Sequence, residues 1–381
     1  MGRIDRRLPI ALLLVWLGAV TPAGAQEPIH IGSSIPITGG VAFFGQHSRW
    51  GTELAIAEAN AAGGVLGRKI EVNFQDNRCN PAEAVKSVTQ MLGEKKYVAM
   101  LDGLCSGVVL AIMPLIERAQ IPLVVANASA TAVAEKSGAG GNKWTFKVNP
   151  TDASLAEAMV AWLAKEGKIA NIAFLGEDTD FGRSGMLGFQ SALGRRGQKL
   201  ASTDFYQQGT ADFTAVFTKL RAQKPASLAL YAIAADFQNL IRQYHSFGVG
   251  IPLTGRVLSD QIPKEILASG ALDGTSSVQP YTPEVETAGN KAFVAAFQKM
   301  HGNPPNLLSY MSYETTRVLL DAIKRAGKAD PAAIRDALEK TKLSSLLGDE
   351  IEFDKNNLAH KNAVILTIKN GQIVVLGLSR T

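Results

Sequence analysis

Histidine is scarce in this chain, and so are the patterns that make it useful. Five histidines stand at 30, 47, 245, 301 and 360. None forms H-E-x-x-H or an i, i+4 pair, so each reads as a surface or packing residue and no metal centre is expected. A nucleophile elbow is missing too: Gly182-Arg183-Ser184-Gly185 is one residue short of G-x-S-x-G and has no evident partner base. There is no Walker A loop. Gly138-Ala139-Gly140-Gly141 lies in a polar loop, not between a strand and a helix, so it fails the dinucleotide fingerprint and no cofactor is expected. Asp178 and Asp180 are a candidate carboxylate pair, or simply part of a solvated loop. Asn127-Ala128-Ser129 matches a glycosylation sequon, but at a strand end where a sugar does not fit. Together these absences argue against an enzyme. An exported hydrolase is the enzymatic alternative, and turnover by the purified chain would revive it.

Basic clusters are missing as well. The formal charge is +5, and removing Arg3, Arg6, Arg7 and Asp5 with the leader lowers it to +3. A weak, scattered excess does not support nucleic acid binding. Long apolar runs are confined to the start. Arg3, Arg6 and Arg7 form a basic region, Ile10–Val20 an apolar run too short to span a bilayer, and Ala23-Gly24-Ala25 an A-x-A site. Residues 1–25 therefore read as a signal peptide cleaved after Ala25, and the mature chain as exported to the periplasm. No cysteine follows the apolar run, which argues against a lipid anchor. The two cysteines of the chain, Cys79 and Cys105, suggest one disulfide in an oxidising compartment. It closes a loop of about 25 residues, worth roughly 3 kcal/mol in the chain-entropy model.

What the chain does have is a repeated strand–turn–helix grammar. About 356 mature residues are too many for one core, so two domains are the prior. Strands are expected at Ile29–Ile35, Arg68–Gln75, Tyr97–Leu101 and Ile121–Ala126, with helices at Gly45–Ala62 and Pro81–Gly93. The grammar restarts after Asn149-Pro150. Strands at Ile169–Leu175, Leu200–Tyr206, Ser227–Ile233 and Leu253–Val257 alternate with helices, after a loop at Gly176–Arg183. Helices at Val285–His301, Ser309–Ala326 and Pro331–Lys340 precede a tail hairpin that turns at Lys369-Asn370-Gly371-Gln372. Alternating β and α elements imply parallel sheets flanked by helices, an α/β class with two Rossmann-like lobes. Ligands in such sheets sit at the carboxyl ends of strands. The candidates are Ser33–Gly45, Leu104–Gly107, Asn127–Ser129, Glu177–Gly182, Ile233–Asp236 and Leu258–Asp260.

The stretch Val98–Ile116 is the most informative. An apolar strand ends in Asp102-Gly103-Leu104-Cys105-Ser106-Gly107 and feeds a helix, with Pro114 as a kink or restart. The free N–H groups and dipole of a helix start favour an anion. Ser106 is the expected N-cap, with a hydroxyl for the helix or for a ligand. An ordinary βα turn with a capping serine is the competing interpretation.

Several motifs together resemble the type I periplasmic binding proteins, in particular the leucine/isoleucine/valine-binding branch that serves ABC importers. They are Ile29–Gly40, Asn60-Ala-Ala-Gly-Gly-Val-Leu-Gly67, Gln75-Asp-Asn-Arg-Cys-Asn-Pro81, Leu104-Cys105-Ser106, Ile121-Pro122-Leu-Val and Asp180-Phe181-Gly182. The resemblance covers essentially the whole mature chain. It implies two lobes, 26–147 plus 280–348 and 149–279 plus 350–381, with hinge crossings near Val148, Gln279 and Glu350. It also implies a monomer that hands a small carboxylate to membrane permease subunits. By resemblance Ser106, with Gly107 beside it, takes the carboxylate, and Asn127, Ala128 and Ser129 form the strand end that meets the head group. Phe44 covers the pocket, while Phe181 stands at a tyrosine position of the second lobe and Ile233 near another.

One departure bears on the ligand. Amino-acid binders of this branch pair the α-ammonium with an acid on the second lobe, where this chain has Val257 or Leu258. Asp260 is the nearest acid and serves only if the loop shifts. The leading expectation is a branched-chain or other apolar amino acid. The alternative is an aromatic or other hydrophobic carboxylate without an amine, which the aromatic surface of Phe43, Phe44, Phe181 and Tyr310 would suit. A ligand-presenting sensor subunit is a third possibility, which a permease operon beside the gene would distinguish.

Overall fold

A computed structural model describes Gly2 and residues 26–380, apart from the side chains of Asp102, Ala234 and Ala235. The expected leader lies outside the described residues. The first unit contains β1 (Ile29–Ile35), α1 (Ala42–Ala61), β2 (Ile70–Asp76), α2 (Pro81–Gly93), β3 (Tyr97–Asp102) and α3 (Ser106–Ala119). It continues through β4 (Leu123–Val125), α4 (Thr131–Glu135) and β5 (Thr145–Lys147). Its strands form one parallel sheet in the order β2-β1-β3-β4-β5. The central strands β1 and β4 are buried along nearly their whole length because helices cover both faces.

The second unit holds α5 (Asp152–Lys165), β6 (Ile172–Glu177), α6 (Asp180–Gly194), β7 (Ser202–Tyr206) and α7 (Thr214–Gln223). It adds β8 (Ser227–Tyr231), α8 (Ala234–Ser246) and β9 (Leu253–Arg256), and its parallel sheet runs β7-β6-β8-β9. After α9 (Lys264–Ala268) and β10 (Ser276–Gln279) the chain returns to the first unit as α10 (Ala288–His301), α11 (Leu307–Ala326) and α12 (Pro331–Leu338). A small pair, β11 (Leu343–Ser344) and β12 (Glu350–Ile351), follows. The tail strands β13 (Asn362–Lys369) and β14 (Gln372–Arg380) join β10 in an antiparallel sheet beside β9. Their turn, Asn370-Gly371, has positive φ at both residues (52° and 67°), as a two-residue type I′ hairpin requires.

Local chemistry fixes several helix starts. Asn80 Oδ1 accepts from the N–H of Ala82 and Glu83 (2.9 and 3.2 Å), with Pro81 in the first turn. Asn306 and Ser309 form a reciprocal cap on α11. That helix packs against α1 at close range. A Cβ at Gly51 would stand 2.0 Å from the carbonyl oxygen of Ser309, and one step away Ser48 and Ser312 hydroxyls meet at 2.6 Å.

Three expectations change. Pro114 does not restart α3, which runs unbroken from Ser106 to Ala119 with Val108, Val109, Ile112, Met113 and Ile116 buried. Ser106 is the first helical residue, and Cys105 occupies the cap position without a capping bond. The loop expected at Gly176–Arg183 shrinks to Asp178-Thr179, because the Thr179 hydroxyl accepts from Gly182 N–H and starts α6 at Asp180.

Candidate functional site

The carboxyl ends of both parallel sheets face one cavity of ≈ 370 Å³. One wall comes from the first unit: Phe44, Asn80, Pro81, Leu104 to Val108, Asn127 and Ser129, with Leu307 and Leu308 from α11. The other comes from the second unit: Glu177, Thr179, Asp180, Phe181, Gln208, Ile233, Arg256, Leu258 and Gln261. The floor includes Asn149, where the chain first passes between the units.

The first wall is built around the start of α3. The Cys79–Cys105 disulfide, with Cα atoms 5.6 Å apart, ties that turn to the loop after β2. Asn77 braces the loop by accepting from Cys79 N–H (2.8 Å) and donating to the Ser34 carbonyl (2.8 Å). This holds Arg78 and Cys79 in the left-handed region (φ 50° and 59°). Ser106, 4 % exposed, accepts from the N–H of Ala130 at 3.2 Å. Its hydroxyl is therefore positioned by the β4–α4 loop while it lines the cavity. Free N–H groups at the first turn of a fourteen-residue helix favour an anion there. Asn127 spends its amide on Ser48 (3.1 Å) and Ser312 (3.0 Å), and its carbonyl accepts from Asn149 (2.6 Å). It locks the strand end to α1, α11 and the crossing segment.

The two walls touch. Thr131 N–H donates to Ser184 of α6 at 3.0 Å. A Cβ at Gly107 would stand 2.7 Å from Asp180 Oδ2, so glycine lets the second unit approach the start of α3.

Electrostatics differ between the walls. Burial pushes the Glu177 carboxyl up to about 7, against the pull of the Thr179 hydroxyl that donates to it at 2.8 Å. At the base, Lys147 is wholly buried and donates to the carbonyls of Asn149 and Pro150. Burial lowers its pKa; nearby Asp152 opposes that shift. Asp152 is itself shifted up by burial, with Arg256 opposing. Arg256 closes β9, is 5 % exposed, and lies 3.6 Å from Asp152 Oδ1 and 5.8 Å from the centre of the Phe181 ring. Among the described residues no group of three metal-ligating side chains occurs, and no helix is long and apolar enough to cross a membrane.

Of the residues expected at the site, Phe44, Ser106, Gly107, Asn127, Ser129, Phe181 and Ile233 line the cavity. Ala128 is buried behind the wall, and Asp260 is exposed in a turn outside it, leaving Leu258 at the cavity. Phe43 points to solvent at 51 % exposure, and Tyr310 is buried elsewhere, stacked on Tyr281 at 4.1 Å. Asp178 pairs with Arg183 (2.5 Å), not with Asp180. Arg256, Leu307 and Leu308 were not anticipated. For Arg256 a signal existed, a charge closing the short strand Leu253-Thr254-Gly255-Arg256; for the leucines, which arrive from a distant helix, none did.

The periplasmic binding protein family matches residues 28–372. A curated relative from Brucella melitensis, "Leu/Ile/Val-binding protein homolog 3", is 26 % identical over 360 residues, covering 93 % of this chain and 95 % of its own. A solute-binding protein of an ABC transporter from R. palustris, solved with benzoate, superposes with a TM-score of 0.83 at 20 % identity, over 93 % of this chain and 97 % of that one. A branched-chain amino acid transporter substrate-binding protein from Streptococcus pneumoniae, solved with isoleucine, gives 0.80 at 22 %, over 93 % and 99 %. At these identities the structural likenesses establish the fold.

Proposed function

The chain belongs to the periplasmic binding protein family, and on that premise we propose that it delivers a small apolar carboxylate, without an ammonium group, to an ABC importer. The carboxylate sits at the start of α3 on Ser106 and the N–H groups near Gly107. The apolar body lies among Phe44, Leu104, Leu307, Leu308, Phe181, Ile233 and Leu258. The lobes are 26–147 plus 280–348 and 149–279 plus 350–381, hinged near Val148, Gln279 and Glu350. A ligand that touches both lobes favours the closed form, which is what a permease can read.

The wall opposite Ser106 carries the amine-free reading. Asp260 does not line the cavity, Leu258 does, and the charge that β9 places there is the cation Arg256. An ammonium placed beside Leu258 and Arg256 meets no carboxylate from β9 or the turn after it, and burying it there is costly. The benzoate held by the R. palustris relative supports the same class. A second reading, a branched-chain amino acid, is favoured by Glu177 and Asp180 at the cavity and by the name of the Brucella relative.

The test is a thermal-shift screen of protein unfolded and refolded to strip bound ligand, with leucine, valine, phenylalanine and benzoate. A ligand at a hundred times its Kd adds about 2.7 kcal/mol of stability. A shift with benzoate and none with the amino acids supports the proposal. A shift with the amino acids alone replaces it with the second reading and makes Glu177 or Asp180 the ammonium partner.

A further inference from the structure

We infer that the second lobe holds an anion subsite at Arg256, so that the preferred ligand carries a second carboxylate at the end opposite the one bound by Ser106. This rests on the proposed carboxylate site and deepens it.

Arg256 lines the cavity, yet it is 5 % exposed. Its Nε and Nη1 are buried and donate no hydrogen bond within the protein. The nearest carboxylate oxygen, Asp152 Oδ1, is at 3.6 Å, beyond hydrogen-bonding range. Asp152 is also shared with the buried Lys147, so two cations face one carboxylate. Tyr231, the register partner of Arg256 on β8, keeps a buried hydroxyl that is likewise without a hydrogen-bond partner. A buried guanidinium with idle donors is costly, and its planar fork matches a carboxylate. Phe181 lies under the guanidinium and also faces the cavity, so an apolar body there leads directly to the cation. Glu177 shares this wall, but burial holds its carboxyl up to about 7, where a hydrogen-bond donor survives beside the anion. The volume, ≈ 370 Å³, exceeds the ~150 Å³ that encloses benzene. It leaves room for a ring with two substituents.

The experiment is calorimetric titration of the refolded protein with leucine, with benzoate and with benzene-1,3- and benzene-1,4-dicarboxylate, the two isomers covering two spans of the cleft. At least one dicarboxylate should bind tenfold or more tightly than benzoate. Arg256→Gln should bring the ratio of dicarboxylate to benzoate affinity down to near one, and that ratio, not benzoate affinity itself, is the readout. If benzoate binds and neither dicarboxylate exceeds it, the Arg256 subsite is refuted and the carboxylate site stands. A dicarboxylate advantage that survives in Arg256→Gln refutes the assignment to Arg256. Binding of leucine alone refutes both readings. The comparison in the unsubstituted protein decides the matter if Arg256→Gln fails to fold. In that case Arg256→Lys, which keeps the charge and loses the fork, should reduce the advantage, and an undiminished one overturns the assignment.

Discussion

Replacing Ser106 by alanine removes one oxygen that has two jobs in this structure. It accepts from Ala130 N–H at 3.2 Å, and it faces the cavity at the start of α3. The two losses have different sizes. A hydrogen bond to a charged group contributes about 1.5–3 kcal/mol, and a neutral one about 0.5–1.5 kcal/mol. Binding of a carboxylate should therefore weaken by roughly 10- to 150-fold, at about 1.4 kcal/mol per decade. Stability of the ligand-free protein should fall by about 1 kcal/mol, with the orphaned Ala130 N–H setting the upper end. Titration calorimetry measures the first quantity and urea unfolding the second. The weakening should be shared by every carboxylate that binds, since the contact is with the common group. A Kd within twofold of the unsubstituted protein, alongside lowered stability, would show that Ser106 only braces the β4–α4 loop and would remove it from the ligand site.

Three further outcomes are expected. Cys79 and Cys105 should resist alkylation until reduced, and replacing both by serine should cost roughly 3 kcal/mol in urea unfolding; free labelling of both thiols would contradict the bridge. Glu177 makes stability pH-dependent: its folded pKa of about 7 lies above the ordinary 4.5, so the protonated form is favoured by folding. Its contribution is full below about 4.5 and is lost as pH rises to about 7; the melting temperature of ligand-free protein should fall over that window relative to Glu177→Gln, and parallel curves would show that the group titrates normally. Asp260→Asn should leave ligand affinity unchanged within twofold in calorimetry, because Asp260 is exposed outside the cavity; a large loss would place it at the ligand in the closed form.

Much of the cavity wall was legible because its determinants are local. A strand, a small polar turn and a helix start are neighbours in sequence, so Ser106, Asn127, Phe181 and Ile233 were all found at strand ends or their motifs. The one-residue difference at the α3 cap has a non-local cause. Ser106 is drawn away from capping by Ala130, twenty-four residues on, and short-range propensity does not contain that bond. The start of α6 was misplaced because one threonine hydroxyl outweighs a run of acidic and glycine residues. The second-lobe polar wall was the real gap. Asp260 looked nearest to the aligned position, but a short turn after β9 sends it outward and leaves Leu258 and Arg256 inward.

Sequence alone therefore determined the α/β class, the strand–turn–helix order, the cysteine pair and the anion-favouring helix start. Each depends on periodicity, chirality and hydrogen-bond demands within one or two elements. Tertiary structure decided which side chains meet. It brought α11 against α1, where glycine and serine permit close approach, and so placed Leu307 and Leu308 beside Phe44. It set Asp180 against Gly107 across the cleft, and it turned Arg256 inward with idle donors and Asp260 outward. The reason is geometric: a strand's alternation says only that neighbouring residues point to opposite faces. Which face looks into a cleft depends on the register of the sheet and on what packs against it, and both are set by residues far away in the chain.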